Sequence, residues 1–387
     1  MNPFLLMGIA LLLARPVQAN EKSTIVLKPD DDFPTQLATA VAAVNTGQTK
    51  VLAFAPGEFI IEHPIEFRLR FGHPGLRIRG AGAGITRLVF KEVETGIRAH
   101  LDTGITRRET NPALTIDDLS LIASGTCGTA IDLYPGAPDH RGGVAPKSFR
   151  NLSIEGRKGT WRTGIRADDL AFCTFRDIIL RLGREDSTGI YLSGKSSPVD
   201  HHFDGIRILG GYTGIRVTGT VEGVYLNQIT MIGTDIGIDW DTDSHEPLLA
   251  LSGSHINARS CCVRANHLLQ ALITGNLFYQ ADPKLPWSGI TIRTAKSTAF
   301  DLHQISNNTF HGHPNHTDTN TGLDIAAASS AVIAGNIFSA LDTGIRLGHK
   351  ATGLKPSGSV FINTTTEIAE PKIEDGIPGR DRDQPIP

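Results

Sequence analysis

The sequence predicts an all-β chain wound into a parallel β-helix of about ten coils. Three observations carry that expectation. A phrase built on Gly-Ile recurs as Thr163-Gly-Ile-Arg166, Thr188-Gly-Ile-Tyr191, Thr213-Gly-Ile-Arg216, Ile236-Gly-Ile-Asp239, Ser288-Gly-Ile-Thr291, Thr321-Gly-Leu-Asp324 and Thr343-Gly-Ile-Arg346. A second series puts a polar residue or glycine ahead of an apolar run, at Asp118, Asn151, Asp177, Gly205, Gln228, His255, Asn276, Asn308, Asn336 and Asn363. Its members lie roughly 21 to 33 residues apart, the length of a solenoid coil. Finally, apolar residues alternate within each unit (Ile206 and Ile208, Ile215 and Val217, Ile290 and Ile292), the period of a strand with one face inward. Such coils stack at about 4.8 Å and bury one column of apolar side chains. An Asn repeated at one turn is expected to build an internal amide ladder. The departures at Gly205, Gln228 and His255 read as a break in that ladder.

The elements follow in chain order. Residues 1–19 combine an apolar stretch, Phe4 to Ala14, with the small-x-small exit Val17-Gln18-Ala19, the form of a cleaved secretory signal. The mature protein is therefore expected to be secreted or periplasmic, with no membrane span. Asp32 is placed to N-cap a short helix with Pro34 in its first turn, and Leu37, Val41 and Val44 follow at helical spacing. An open solenoid end exposes apolar core and unpaired edges, so this helix is expected to cap the N-terminus. Residues 20–369 then form one β-helix domain including that cap. Residues 370–387 are rich in Pro, Gly and charge, the composition of an extended or disordered tail.

Charge and cysteine content narrow the partners. Loss of residues 1–19 removes Arg15, so the 37 basic residues become 36, against 40 acidic ones. That balance argues against nucleic acid or a membrane surface as partner. Cys127, Cys173, Cys261 and Cys262 allow three pairings, but a chain of 387 residues buries enough surface to fold without them. No disulfide is assigned. Their spacing lacks the paired CxxC of a structural zinc site, and no metal is assigned either.

Asp30-Asp-Asp-Phe-Pro-Thr-Gln-Leu-Ala-Thr-Ala-Val, Val51-Leu-Ala-Phe-Ala-Pro-Gly-Glu-Phe-Ile-Ile and Leu76-Arg-Ile-Arg-Gly-Ala-Gly-Ala-Gly-Ile-Thr-Arg-Leu together resemble the opening of pectate-lyase-like proteins. Those proteins share an acidic start, a short helix, a strand like PPGTY and a turn like GxGxxxT. The resemblance runs from about Asp30 to Asn363 and implies a single-stranded right-handed parallel β-helix. It implies a glycan groove along the strand faces. It does not single out a chemistry, because the superfamily holds lyases, hydrolases, epimerases, phage tailspikes and non-catalytic members. The ordered motifs of polygalacturonase-like hydrolases are not reproduced: Thr234-Asp235 stands where a paired aspartate is expected.

If each phrase points its Ile inward, the next residue and the one two beyond it point outward. The outward pairs are Arg166 and Asp168, Tyr191 and Ser193, Arg216 and Thr218, Asp239 and Asp241, Arg264 and Asn266, Thr291 and Arg293, Asp324 and Ala326, and Arg346 and Gly348. Asp239 and Asp241 then stand about 6.5 to 7 Å apart, with Arg216 one coil below and Arg264 one coil above. A carboxylate pair at that separation suits an inverting glycoside hydrolase, and the arginines would help to split the two pKa values. Tyr191, Arg293 and Asp324 complete the expected substrate-binding face, and Trp240 should point inward.

Other readings of the same residues stand beside this one. An Arg-Asp-Arg ladder also spares a solvated β-surface from stacking like charges. A lyase or epimerase of the resembled superfamily would use Arg216 or Arg264 as base, with Asp239 and Asp241 holding Ca²⁺. A non-catalytic glycan-binding scaffold is the third reading. His202, from Asp200-His-His-Phe-Asp204, and His245 with Glu246 are secondary candidates, as is the His311 to Asp318 cluster for a metal. In every case the expected partner is a polysaccharide or oligosaccharide, and the expected state is a monomer.

Overall fold

The computed structural model describes residues 24–102, 112–135, 145–183, 186–293, 302–317, 319–328, 330–351, 354 and 356–370. The expected signal segment 1–19, the tail beyond Glu370 and Asp318 lie outside them. Among the described residues the regular structure is strand apart from one helix, Phe33–Asn45. The chain forms a parallel β-helix. In-register parallel pairs run from Ile65–Leu69 through each successive coil to Val360–Ala369. No described helix is long and apolar enough to cross a membrane.

The Gly-Ile phrases stack as the sequence predicts. Ile165, Ile190, Ile215, Ile238, Val263, Ile290, Leu323 and Ile345 are register partners in that order, and all are fully buried. The preceding glycine has a steric reason. A Cβ at Gly214 would meet the Gly237 carbonyl oxygen and the Met231 sulfur, each at 2.6 Å, closer than a carbon can approach. Trp240 is buried, as expected.

The series of turn residues divides into two positions, which corrects the expected single amide ladder. Asp118, Asn151, Asp177, Gln228 and Asn307 are left-handed, and Gly205, Gly253, Gly275 and Gly335 take the same conformation in the intervening coils. That turn is therefore continuous, with no break at Gly205 or Gln228. His255 begins the next strand. The amide ladder lies one residue later and only in the last coils, where the inward side chains change from Leu119, Leu152, Ile178, Ile206 and Ile229 to Ser254, Asn276, Asn308 and Asn336. Each Asn Oδ1 accepts the backbone N–H of the coil below: Asn276 from Ser254 at 2.9 Å, Asn308 from Asn276 at 3.0 Å and Asn336 from Asn308 at 3.0 Å. The amide nitrogens donate to the carbonyls of Leu251, Ile273 and Ile305. Asn363 belongs to another turn, in line with left-handed Ala340. The two positions are one residue apart in sequence, and spacing alone merged them.

The helix begins where expected, with Asp32 at the N-cap position and Pro in the first turn, but the Asp32 side chain makes no capping hydrogen bond. Its buried residues are Phe33, Ala40 and Val44, while Leu37 and Val41 are only partly buried against the core. The inward stripe is thus rotated from the one the spacing suggests. Phe33 sets that rotation by packing on Phe59, ring centroids 4.9 Å apart. All four cysteines are buried free thiols.

Two histidines sit inside the coil. Neither ring nitrogen of His201 or His303 has a hydrogen-bond partner among the described residues. Burial pushes their pKa values down to about 3 and about 4. The unfolded chain protonates these imidazoles near pH 6.5; the folded chain resists until the lower values, so stability falls as pH drops below about 6.5. Between pH 7 and pH 5 the expected loss is about 2 kcal/mol for each histidine. Urea titrations at both pH values should show a flatter profile for the double variant His201→Phe, His303→Leu; equal losses in variant and parent would refute the assignment. In the ladder, Asn308→Ala should lower stability by about 2 kcal/mol or more, because it strands the Asn276 N–H and the Ile273 carbonyl. A change under about 0.5 kcal/mol by the same titration would contradict that role.

Candidate functional site

One outward column organises the surface. Its register partners are Glu66, Arg98, Asp132, Arg166, Tyr191, Arg216, Asp239, Arg264, Thr291, Asp324 and Arg346. Acid and base alternate through most of it. Neighbouring coils are about 4.8 Å apart, so alternation converts stacked charges into attraction. Ion pairs join Arg98 to Asp132 at 3.3 Å, Arg264 to Asp239 at 2.9 Å and Arg346 to Asp324 at 3.6 Å.

The two central carboxylates are not equivalent. Asp239 is only 6% exposed; its Oδ1 accepts from Arg264 Nε at 2.9 Å and its Oδ2 faces Arg216 Nε at 3.8 Å. The hydrogen bond to Asp239 raises the Arg264 pKa above its ordinary value. Asp117, on another strand column, is likewise flanked by two arginines. It is fully buried and receives Arg77 at 2.5 Å and Arg150 at 3.0 Å. Burial pushes the Asp117 pKa up, but the two guanidinium hydrogen bonds together hold it below the ordinary value. A device that recurs away from the outward column is a way of burying an aspartate, and Asp239 has a looser form of it, with one arginine hydrogen bond and a second guanidinium at 3.8 Å. Asp241, two residues along the same strand, is exposed and has no ion pair or side-chain hydrogen bond among the described residues.

Asp241 also has a different neighbour from the one expected. A bulge between Trp240 and Asp241 brings His267, not Asn266, opposite it. The extra residue lies in His255–His267 and shifts that strand by one, which alternation alone does not reveal. A second row therefore reads Ser193, Thr218, Asp241 and His267. The Tyr191 hydroxyl reaches into it, 3.1 Å from Thr218 Oγ1. The Tyr191 ring lies between the guanidiniums of Arg166 and Arg216, 5.8 and 5.9 Å from its centroid. Both ring faces are thus occupied, leaving the edge and hydroxyl to a ligand.

The remaining candidates disperse. Arg293 is exposed just beyond Trp287–Ile292, with Thr291 in the column. Asp324 is half-buried against Arg346. His202 stands on a different strand column, stacked on Tyr225 with centroids 4.7 Å apart. His245 and Glu246 are exposed in the turn after Thr242. His311 packs on Tyr279 at 4.8 Å, and no group of three or more potential metal ligands occurs among the described residues.

A polar cluster that the phrase list did not include spans the second to fourth coils below Tyr191. Glu66 Oε1 and the Tyr134 hydroxyl are each 2.9 Å from His100 Nε2. Arg98 Nη2 donates to Thr95 Oγ1 at 2.7 Å. Burial raises the Tyr134 pKa, with Arg98 opposing and the charges of Asp132 and Glu66 adding to the rise. The signal was present in the sequence: Thr95-Gly-Ile-Arg98 is the same phrase. Continued upstream, the register places His100 and Tyr134 in one outward row. A separate cavity of about 780 Å³, with Phe33, Leu37, Val41 and Ile60 in its wall, lies between the helix and the first coil.

No family model matches the chain, and no curated protein matches it. Among solved structures it is similar to the catalytic domain of GH87 α-1,3-glucanase in complex with nigerose, at 12% identity and TM-score 0.51, covering 94% of this chain and 68% of that one. It is similar to the Azotobacter vinelandii mannuronan C-5 epimerase AlgE4 A-module at 14% identity and TM-score 0.51, covering 89% and 96%. The N-terminal fragment of bacteriophage Phi29 gene product 12 aligns at 12% identity and TM-score 0.54, covering 89% and 67%. At such identities the likeness is one of fold.

Proposed function

We propose that this protein is an exported carbohydrate-active protein that binds an acidic polysaccharide along the outward column and acts on it there. The observation that carries the reading is the Arg166–Tyr191–Arg216 step. Everywhere else among the described coils, two arginines separated by one position in the column have an aspartate between them. Here a neutral ring takes that place: Arg166 turns to Asp168 in the neighbouring row, 3.3 Å away, and Arg216 has no acid on its Tyr191 side in the column, beside the hydroxyl, carboxylate and imidazole of Thr218, Asp241 and His267. A sugar carboxylate would supply the missing anion, and the polar row would meet its hydroxyl groups. Two of the solved structures similar to this chain are enzymes of carbohydrates, which agrees with the reading.

Hydrolysis by Asp239 and Asp241 requires two carboxylates that exchange protons with substrate and water. Asp239 is held by two arginines, so its role on this reading is to fix their positions. Asp241 is the carboxylate free to meet a glycan. Calcium has no assigned place in this proposal.

Tyr191→Asp tests the binding site, because it completes the ladder with the protein's own acid. It should keep or raise the melting temperature and weaken binding to polygalacturonate or alginate at least about 10-fold, about 1.4 kcal/mol, in affinity electrophoresis. Unchanged affinity would overturn the proposal. Asp239→Asn should cost about 1 to 3 kcal/mol of stability, whereas Asp241→Asn should stay within about 0.5 kcal/mol of the parent. Reducing ends released from the same glycans, and lost in Asp241→Asn with binding retained, would assign hydrolysis to Asp241.

A further inference from the structure

We propose that two adjoining strand faces of the later coils, outside the Gly-Ile column, form a contact between two copies of this chain, in place of the monomer expected from the sequence. The inference is independent of the carbohydrate reading. The first face stacks Gly223–Asn227, Leu248–Ser252, Gln270–Thr274, Leu302–Ser306 and Ala331–Ala334 in parallel register. The second stacks residues 230–232, 255–257, 277–279, 309–311, 337–339 and 360–362. The left-handed turn at Gln228, Gly253, Gly275, Asn307 and Gly335 joins the two.

Charge is missing from both faces. Alternation along each strand picks out the outward residues, and among the described residues none of them is Asp, Glu, Lys or Arg. Charged residues make up 20% of the chain and concentrate on surfaces, so the gap belongs to these faces and not to the composition. Their only titratable side chains are Tyr225, Tyr279, His255 and His311. On earlier coils the same two columns carry Arg150, Arg176 and Asp204, and Arg181 and Arg207. Charge also resumes at the rim, where Arg259 pairs with Asp235 at 2.8 Å and Glu246 is exposed. A charge-free centre inside a charged rim is the anatomy of a protein interface. Ile232, Leu272, Leu302, Val332, Ile337 and Val360 project from it, each 39% to 60% exposed, and Ile337 and Val360 are register partners. That is more than the scattered single apolar residues normal on a monomer.

A second copy suits these faces on grounds of charge, shape and area. In a two-fold contact the same patch meets itself, so any charge on it would stand near its own image. A face without charge escapes that repulsion, a constraint that an unrelated partner does not impose. The patch also carries both halves of a self-complementary shape: projecting apolar side chains, and a hollow of about 420 Å³ at the turn with Gln228, His255, Leu277 and Thr309 in its wall. Coil spacing and strand rise give the two faces about 700 Å², close to the roughly 800 Å² per partner of a stable interface. The Gly-Ile column lies on other strands and stays open in such a pair.

Sedimentation velocity of the mature full-length protein tests the contact. At tens of micromolar, above the micromolar limit that interfaces of this size reach, the parent should sediment with the mass of two chains. Leu272→Glu on the first face and Ile337→Lys on the second should each weaken self-association at least about 100-fold, because each sets a charge inside the contact. Their far-ultraviolet circular dichroism should match the parent; Val332→Lys takes the place of a variant that loses the coil signal. Ile85→Glu, at a residue 55% exposed but outside both faces, should keep the two-chain mass. A one-chain mass for the parent, a mass of three or more chains, or a two-chain mass in both face variants would refute the contact.

Discussion

The close approach of one coil to the next at the glycine of each Gly-Ile phrase governs the rest of this molecule. With no Cβ at Gly214, the Gly237 carbonyl can sit where a side chain would otherwise be. Each following Ile then drops into one buried column, and each residue after it is held outward at a fixed height. Because the phrase repeats, that height repeats, and outward side chains become neighbours of residues some 25 positions away in the chain.

Stacking at about 4.8 Å makes charge the next constraint. A column of like charges at that spacing would oppose the backbone ladder, and alternation of arginine with aspartate removes the conflict. It also permits aspartates to be buried: Asp239 and Asp117 are each embraced by two guanidiniums on neighbouring coils. The charge pattern that makes Asp239 look like a catalytic group in the sequence therefore also packs it between two arginines in the structure. Positions that interrupt the alternation carry more functional meaning. Tyr191 is such a position on the reading proposed above.

The polar interior obeys a similar economy. Buried amides are tolerated in the last coils because Asn276, Asn308 and Asn336 satisfy one another and the backbone. His201 and His303 have no such partners among the described residues, so they remain neutral and tie stability to pH.

The sequence by itself determined the coil, the identity of the inward residues and the outward column from Arg166 to Arg346, because a period-two strand pattern repeated at coil length leaves one consistent stacking. It also contained Thr95-Gly-Ile-Arg98, from which the lower coils were legible. Only the tertiary structure decided the rest. The bulge that exchanges Asn266 for His267 beside Asp241, the separation of the left-handed turn from the amide ladder, and the burial of Asp239 each depend on one-residue register and on which neighbours fill the adjacent coil. A linear pattern fixes the spacing along a strand, but contacts between coils are set by where the backbone places each strand against the next.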